Sequence, residues 1–193
     1  ALLAADEAIM SSGLKNSKET WLENAGIILG SSIGGIETIN NSYKQVFEEG
    51  HNRLHPLTIP KIMNNSATSL ISIEYRIQGP SFTVSSACSS ANHAMGLAYE
   101  TIKSRKSNIM ITGGSESFLS FGGIKPWESL RVLSQSKCRP FSKGRDGLVH
   151  GEGAGVFVFE SLASAKKRKA DIIAEIVGFS MSSDASDLIK PNN

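Results

Sequence analysis

Short apolar runs alternate with amphipathic stretches along this sequence, and that rhythm restricts the chain to α/β architectures with helices covering a sheet. Residues 25–29 (AGIIL) are an unbroken apolar run ending in Gly30-Ser31-Ser32, as expected of a buried strand entering a turn. Helices are predicted over 36–48 and over 59–75, the second with Pro60 in its first turn, where a missing N–H is harmless. Gly79-Pro80 breaks the chain, after which residues 82–86 alternate large and small like a strand. From Ser89 to about residue 104, Ala91, Ala94, Met95, Ala98 and Ile102 recur at helical spacing. Residues 108–112 read as a strand ending at Gly113-Gly114, and 121–142 as an irregular segment with one short helix. Strands over 156–159 and 172–177 flank a helix over 162–169. No repeat or linker divides the chain, so it is one domain or part of one.

With 40% hydrophobic and 20% charged residues among 193, the chain has the composition of a folded domain. At this size folding buries about 70% of the surface of the unfolded chain, so neither disulfide nor metal is needed as a staple. Lys and Arg number 20 against 18 Asp and Glu, a net charge of +2 with no basic stripe, which argues against nucleic-acid binding. No apolar run approaches the roughly 20 residues that cross a bilayer. The opening Ala1-Leu2-Leu3-Ala4-Ala5-Asp6-Glu7 lacks the basic residues of a signal peptide. The expected setting is the cytoplasm, where Cys88 and Cys138 stay thiols. The chain starts without methionine and ends at Lys190-Pro191-Asn192-Asn193 straight after a strand-like stretch, so we expect a piece of a longer protein.

Cys88 is the foremost candidate for chemistry. It stands where the strand over 82–86 gives way to the helix starting near Ser89, within Ser85-Ser86-Ala87-Cys88-Ser89-Ser90. Unpaired N–H groups and partial positive charge at a helix N-terminus stabilise a thiolate, and the same groups can hold an oxyanion. A strand-to-helix nucleophile turn is sterically tight, which suits neighbours that are all Ser or Ala. Position alone leaves a second reading open, that of a small buried hydrophobe. None of the histidines pairs with Cys88 by local spacing. His93, five residues along the helix, points roughly 140° away and reads as a hydrogen-bonded structural residue. His51 and His55 read as exposed loop residues, and His150 as a residue that could line a cavity.

The Gly-rich stretches are not phosphate cradles. Gly30-Ser31-Ser32-Ile33-Gly34-Gly35 lacks the Lys-Ser/Thr ending of a P-loop, and Gly151-Glu152-Gly153-Ala154-Gly155 leads into a strand rather than a helix. No histidine pair has metal-ligand spacing. Lys166-Lys167-Arg168-Lys169 reads as a solvated helix C-terminus, and Cys138, between Lys137 and Arg139, as an incidental thiol.

Taken together, several spaced motifs resemble the β-ketoacyl synthases. They are Gly79-Pro80-Ser81, Ser86-Ala87-Cys88-Ser89-Ser90, Gly113-Gly114-Ser115-Glu116, Leu133-Ser134 and Cys138-Arg139-Pro140-Phe141. Arg145-Asp146-Gly147-Leu148-Val149-His150-Gly151-Glu152-Gly153-Ala154, Val177-Gly178-Phe179 and Ser182-Ser183-Asp184-Ala185 follow in the same order. The chain is most similar to the elongating type, which uses carrier-protein-bound acyl groups.

The resemblance implies the N-terminal half of a thiolase-like α/β fold, with residues 1–193 truncated at both ends. It implies Cys88 as the nucleophile that accepts an acyl chain, with its own N–H as one oxyanion donor. Ser32 and Ile33 match the turn lining the acyl pocket, and Trp127 falls where the family carries a gating Phe. Arg131, and with it Arg53, match contacts to an acidic acyl carrier protein bearing acyl and malonyl thioesters. No cofactor and no metal are implied, and a homodimer would form through the strand over 82–86. Leu148 replaces the usual aromatic of its motif, a departure read as packing. The family's catalytic histidines, lysine and second oxyanion turn lie in a C-terminal half not present here. The chain alone is therefore expected to keep the nucleophile, to fail at condensation, and to expose apolar surface where that half packs. Two other readings stand beside this one: a thiolase-superfamily acyltransferase using CoA thioesters, and a non-catalytic partner subunit of a ketosynthase heterodimer.

Overall fold

The strand β1 (Ala25–Gly30) is buried at all six positions, and the rest of the molecule is arranged around it. A computed structural model describes residues 1–16 and 21–189; of the sequence landmarks above, the stretch 190–193 lies outside the described residues. An apolar run that stays apolar at both parities requires cover on both faces, and β1 has it. It pairs in parallel with β2 (Ser81–Val84) on one side and β3 (Ile109–Glu116) on the other; β4 (Gly153–Glu160) then runs antiparallel to β3. The sheet order is β2-β1-β3-β4.

Strand alternation divides the core in two. Ile27, Leu29 and Ile111 face one side, against Ala5 and Ile9 of α1 (Leu2–Ser11) and Ile71 of α4 (Ser66–Tyr75). Ile28 and Met110 face the other, against Ala94 and Ala98 of α5 (Ser90–Lys103). Between β1 and β2 the chain forms α2 (Ile36–Phe47), α3 (Thr58–Ile62) and α4; α6 (Phe121–Ser129) follows β3 and α7 (Leu162–Lys167) follows β4. The α/β expectation holds, and no described helix is long and apolar enough to cross a membrane.

Two expected elements are different. The single helix over 59–75 is two, α3 and α4, because Met63 turns to an extended ψ of 137°. The break serves a tertiary contact: the carbonyl of Ile62 accepts from the Gly35 N–H at 3.5 Å, and Asn64 lies against Gly34. The second difference is residues 172–177, which form no strand. An apolar β-prone run still needs a partner strand, and this one has none among the described residues, its Val177 carbonyl accepting only from the Tyr99 hydroxyl at 3.4 Å, while Ile173 is 96% and Val177 84% exposed. Large apolar side chains are exposed elsewhere too, including Phe47, Ile73 and Phe121, in line with the expected uncovered surface.

Candidate active site

At the end of β2 the backbone makes a sharp turn in which Ala87 takes a left-handed φ of 53°. That conformation costs an L-residue roughly 1–2 kcal/mol, so the surroundings must hold it. Serine hydroxyls supply the hold. Ser86 N–H donates to Ser90 Oγ at 2.9 Å, and Ser90 Oγ donates to the Ala87 carbonyl at 2.6 Å. Ser89 Oγ donates to the Ser86 carbonyl at 2.8 Å. Ser89 is the N-cap position of α5, so Cys88 stands immediately before the helix, and its residue is exposed rather than buried. The small-hydrophobe reading of Cys88 therefore fails.

The helix start is seated on two glycines that face it from adjacent strands. Gly30 and Gly114 are register partners on β1 and β3. A Cβ on Gly30 would lie 2.3 Å from the Ala91 nitrogen, and one on Gly114 would lie 2.7 Å from the Ala91 Cβ. Only glycine permits this approach of helix to sheet.

The turn carrying Ser32 and Ile33 joins the same end of the sheet. Ser31 N–H donates to the Val84 carbonyl at 3.1 Å, and Ser85 Oγ donates to the Ser32 carbonyl at 3.1 Å. Ser32 is thereby tied to the segment three residues before Cys88. Ile33 is partly exposed, at 38%. Glu116, at the end of β3, accepts from Ser32 N–H at 2.7 Å, from Ser32 Oγ, and from Ser31 Oγ at 3.3 Å. In the sequence Glu116 is one member of the Gly113-Gly114-Ser115-Glu116 motif, and a carboxylate two residues after a glycine pair at a strand's end is the signal that singles it out.

The other residues singled out in the sequence make the following contacts. Trp127, on α6, has ring contacts with His150 at 4.9 Å and Phe118 at 6.4 Å. Arg131, just past α6, and Arg53, between α2 and α3, are exposed. His93 Nδ1 is 2.7 Å from Ser86 Oγ, which makes it a brace of the turn, as its helical position indicated. His55 Nδ1 accepts from Leu57 N–H, and His51 lies 3.9 Å from Glu49. His150 Nε2 is buried without a hydrogen-bond partner among the described residues.

The segment around Cys138 is organised by a carboxylate. Asp146 accepts from Ser134 Oγ at 2.6 Å and Ser136 Oγ at 2.9 Å, and pairs with Arg139 at 3.3 Å. The Ser134 hydrogen bond, then that from Ser136, hold its carboxyl below the usual carboxylate range, with Arg139 adding to the effect. Leu148 is 49% exposed, and its backbone rather than its side chain is engaged, its N–H donating to the Val132 carbonyl at 2.8 Å. Among the described residues no group of three or more His, Cys, Asp or Glu is placed to hold a metal ion.

Comparison with known proteins places the chain that carries this turn in a family. A family model described as "Beta-ketoacyl synthase, N-terminal domain" matches residues 1–165. The chain belongs to that family. Among curated relatives of this β-ketoacyl synthase segment, "Nodulation protein E" of Rhizobium sp. (strain N33) is 41% identical over 191 residues, covering 99% of this chain and 47% of the relative. The "3-oxoacyl-[acyl-carrier-protein] synthase 2" of Staphylococcus aureus is 37% identical over 196 residues, covering 99% and 48%. The crystal structure of a β-ketoacyl synthase from Burkholderia phymatum STM815 superposes with a TM-score of 0.87 at 32% identity, covering 98% of this chain and 48% of that one. The fold is thus that of the thiolase-like synthases, and the chain spans about half the length of these relatives.

Proposed function

We propose that residues 1–193 are the N-terminal part of a condensing enzyme of fatty-acid or polyketide synthesis, and that Cys88 is its nucleophile. The observation that carries this is the exposed Cys88 thiol directly before α5, on a backbone turn braced by serines and by His93. The Cys88 thiolate attacks an acyl thioester on a carrier protein, forming an acyl-cysteine and releasing the carrier's thiolate. A malonyl-carrier thioester then loses carbon dioxide. The resulting carbanion attacks the acyl-cysteine carbonyl, forms the new carbon–carbon bond and expels the Cys88 thiolate, giving a 3-oxoacyl-carrier product. A thiolate is both a strong nucleophile and a good leaving group, so one side chain suits both half-reactions. The Cys88 N–H is one of the two oxyanion donors such a step requires.

The turn at Ser32 and Ile33 and the ring of Trp127 are the acyl-binding residues in this reading; Arg131 and Arg53 meet the acidic carrier. The S. aureus relative's name, which includes an acyl-carrier protein, supports the carrier assignment. A homodimer through the outer edge of β2 and a reducing cytoplasmic location complete the proposal. The chemistry needs no cofactor.

Mass spectrometry after cerulenin or iodoacetamide treatment of the complete synthase tests it. Modification of Cys88 is expected. Modification confined to Cys138, or none, would overturn the enzyme assignment and favour a non-catalytic partner subunit.

A further inference from the structure

Glu116 has no ion-pair partner among the described residues, yet it gathers three donors from one turn 84 and 85 residues away in sequence. A carboxylate is acceptor-only, and its two oxygens can take all three bonds at once. The donors are Ser31 Oγ, Ser32 N–H and Ser32 Oγ, in the turn immediately before Ile33. The rest of that turn is fixed from other directions. Ser31 N–H reaches β2 through Val84, and Ser85 Oγ reaches the Ser32 carbonyl. Gly34 N–H donates to Ser31 Oγ at 3.3 Å, and Gly34 itself sits at a φ of 72°, against Asn64. The turn is thus strung between β1, β2 and the α3–α4 break, and Glu116 is its tie to β3.

We infer that Glu116 is a positioning residue that sets where the Ser32–Ile33 turn stands, and through Ile33 which acyl chains Cys88 accepts. This rests on the condensing-enzyme reading above. Apart from the Ser85–Ser32 bond, the cysteine turn is held by contacts that do not involve Glu116, namely Ser90, Ser89, His93 and the Gly30–Gly114 seat. Loosening Glu116 should therefore shift acyl selection without disarming the thiol. Glu116, Ser31 and Ser32 are half-buried and outside both core clusters, so global stability should hold.

The test uses the complete synthase with E116A and E116Q. Gln keeps one acceptor oxygen for Ser32 and can donate to Ser31 Oγ, so it is the rescuing variant. For E116A the expected result is a rise of about tenfold in KM for straight-chain acyl-carrier thioesters, the scale of one lost charge-assisted hydrogen bond. Its size should vary with chain length, with kcat within twofold or so. Amide exchange should accelerate in the peptide covering 31–35 but not in the α5 peptide. Iodoacetamide should alkylate Cys88 at the wild-type rate, and E116Q should restore most of the loss. An equal fall in Cys88 alkylation, or a uniform effect on every chain length, would make Glu116 a general structural prop and overturn the inference. So would unchanged exchange at 31–35 in an active enzyme. Absence of acyl transfer in the wild type would instead refute the condensing-enzyme reading, and with it the acyl role of the turn.

Discussion

The two cysteines of this chain are both exposed, both followed by a small or basic neighbour, and both set among serine hydroxyls, yet their supports differ in kind. Cys88 stands on a turn whose next residues enter the core: Ser90 is 4% exposed, and Ala94 and Ala98, further along α5, are fully buried. Gly30 and Gly114 lie directly beneath the helix start. Cys138 stands in a surface loop ordered by Asp146, Arg139 and two serines, all of them near solvent. Exposure makes a thiol reachable in either place. Only the first is backed by core packing, and a nucleophile needs a fixed geometry as much as access.

The sharpest test of this contrast is replacement of each thiol in the complete synthase. Cys88→Ala should abolish acyl-enzyme formation by acyl-carrier protein, while Cys138→Ala should leave it at the wild-type level, both read by intact mass. The reverse pattern would invert the comparison. Next in size is Gly30→Ala. Its new Cβ meets the backbone of Ser90 and Ala91 at 2.3 Å, and forcing apart such a contact costs about 1–3 kcal/mol, sometimes more. Urea unfolding should show that loss, and iodoacetamide kinetics should slow at Cys88 and not at Cys138. A Gly30→Ala chain of wild-type stability would mean that the helix is not seated on the strand ends.

A smaller effect is expected at Ala87. Glycine there relieves the left-handed strain at φ 53° while enlarging the unfolded ensemble, so Ala87→Gly should stabilise by no more than about 1 kcal/mol. Thermal melting measures it, and a clear destabilisation would show that the methyl group is needed for packing. The smallest effect concerns the Cys138 loop. The Asp146 carboxyl is held below its ordinary value of 3.8, so its contribution is fully present above that pH and is lost as the pH falls through the lowered value. Amide exchange, corrected for the intrinsic rate, should show the peptide over 132–148 losing protection below that point while the α5 peptide does not. Loss of both together would erase the distinction between the two supports.

Much of the fold was legible because periodicity is a local property. The all-apolar 25–29 run was legible as a buried strand, and the three- and four-residue spacing after Ser89 as a helix. Cys88 stood out for a local reason too, its place at a strand-to-helix change among small residues. Where the reading went astray, the deciding contact was distant. Within 59–75 the local mark is Asn64-Asn65-Ser66, with Asn65 the N-cap of α4; what the stretch does not show is the 34–35 turn docking on Ile62 and Asn64. Nothing within 172–177 shows that the run finds no partner strand among the described residues.

By itself, then, the sequence determined the alternation of strands and helices and the position of the candidate nucleophile, because side-chain spacing and helix-end chemistry act over a few residues. The tertiary structure decided that Gly30 and Gly114 lie side by side under α5, and that Glu116 reaches Ser32. Those depend on strand order and register, through which residues 84 apart come within 2.7 Å. Hydrogen bonds and steric limits act only at contact, so no pattern along the chain could have assigned them.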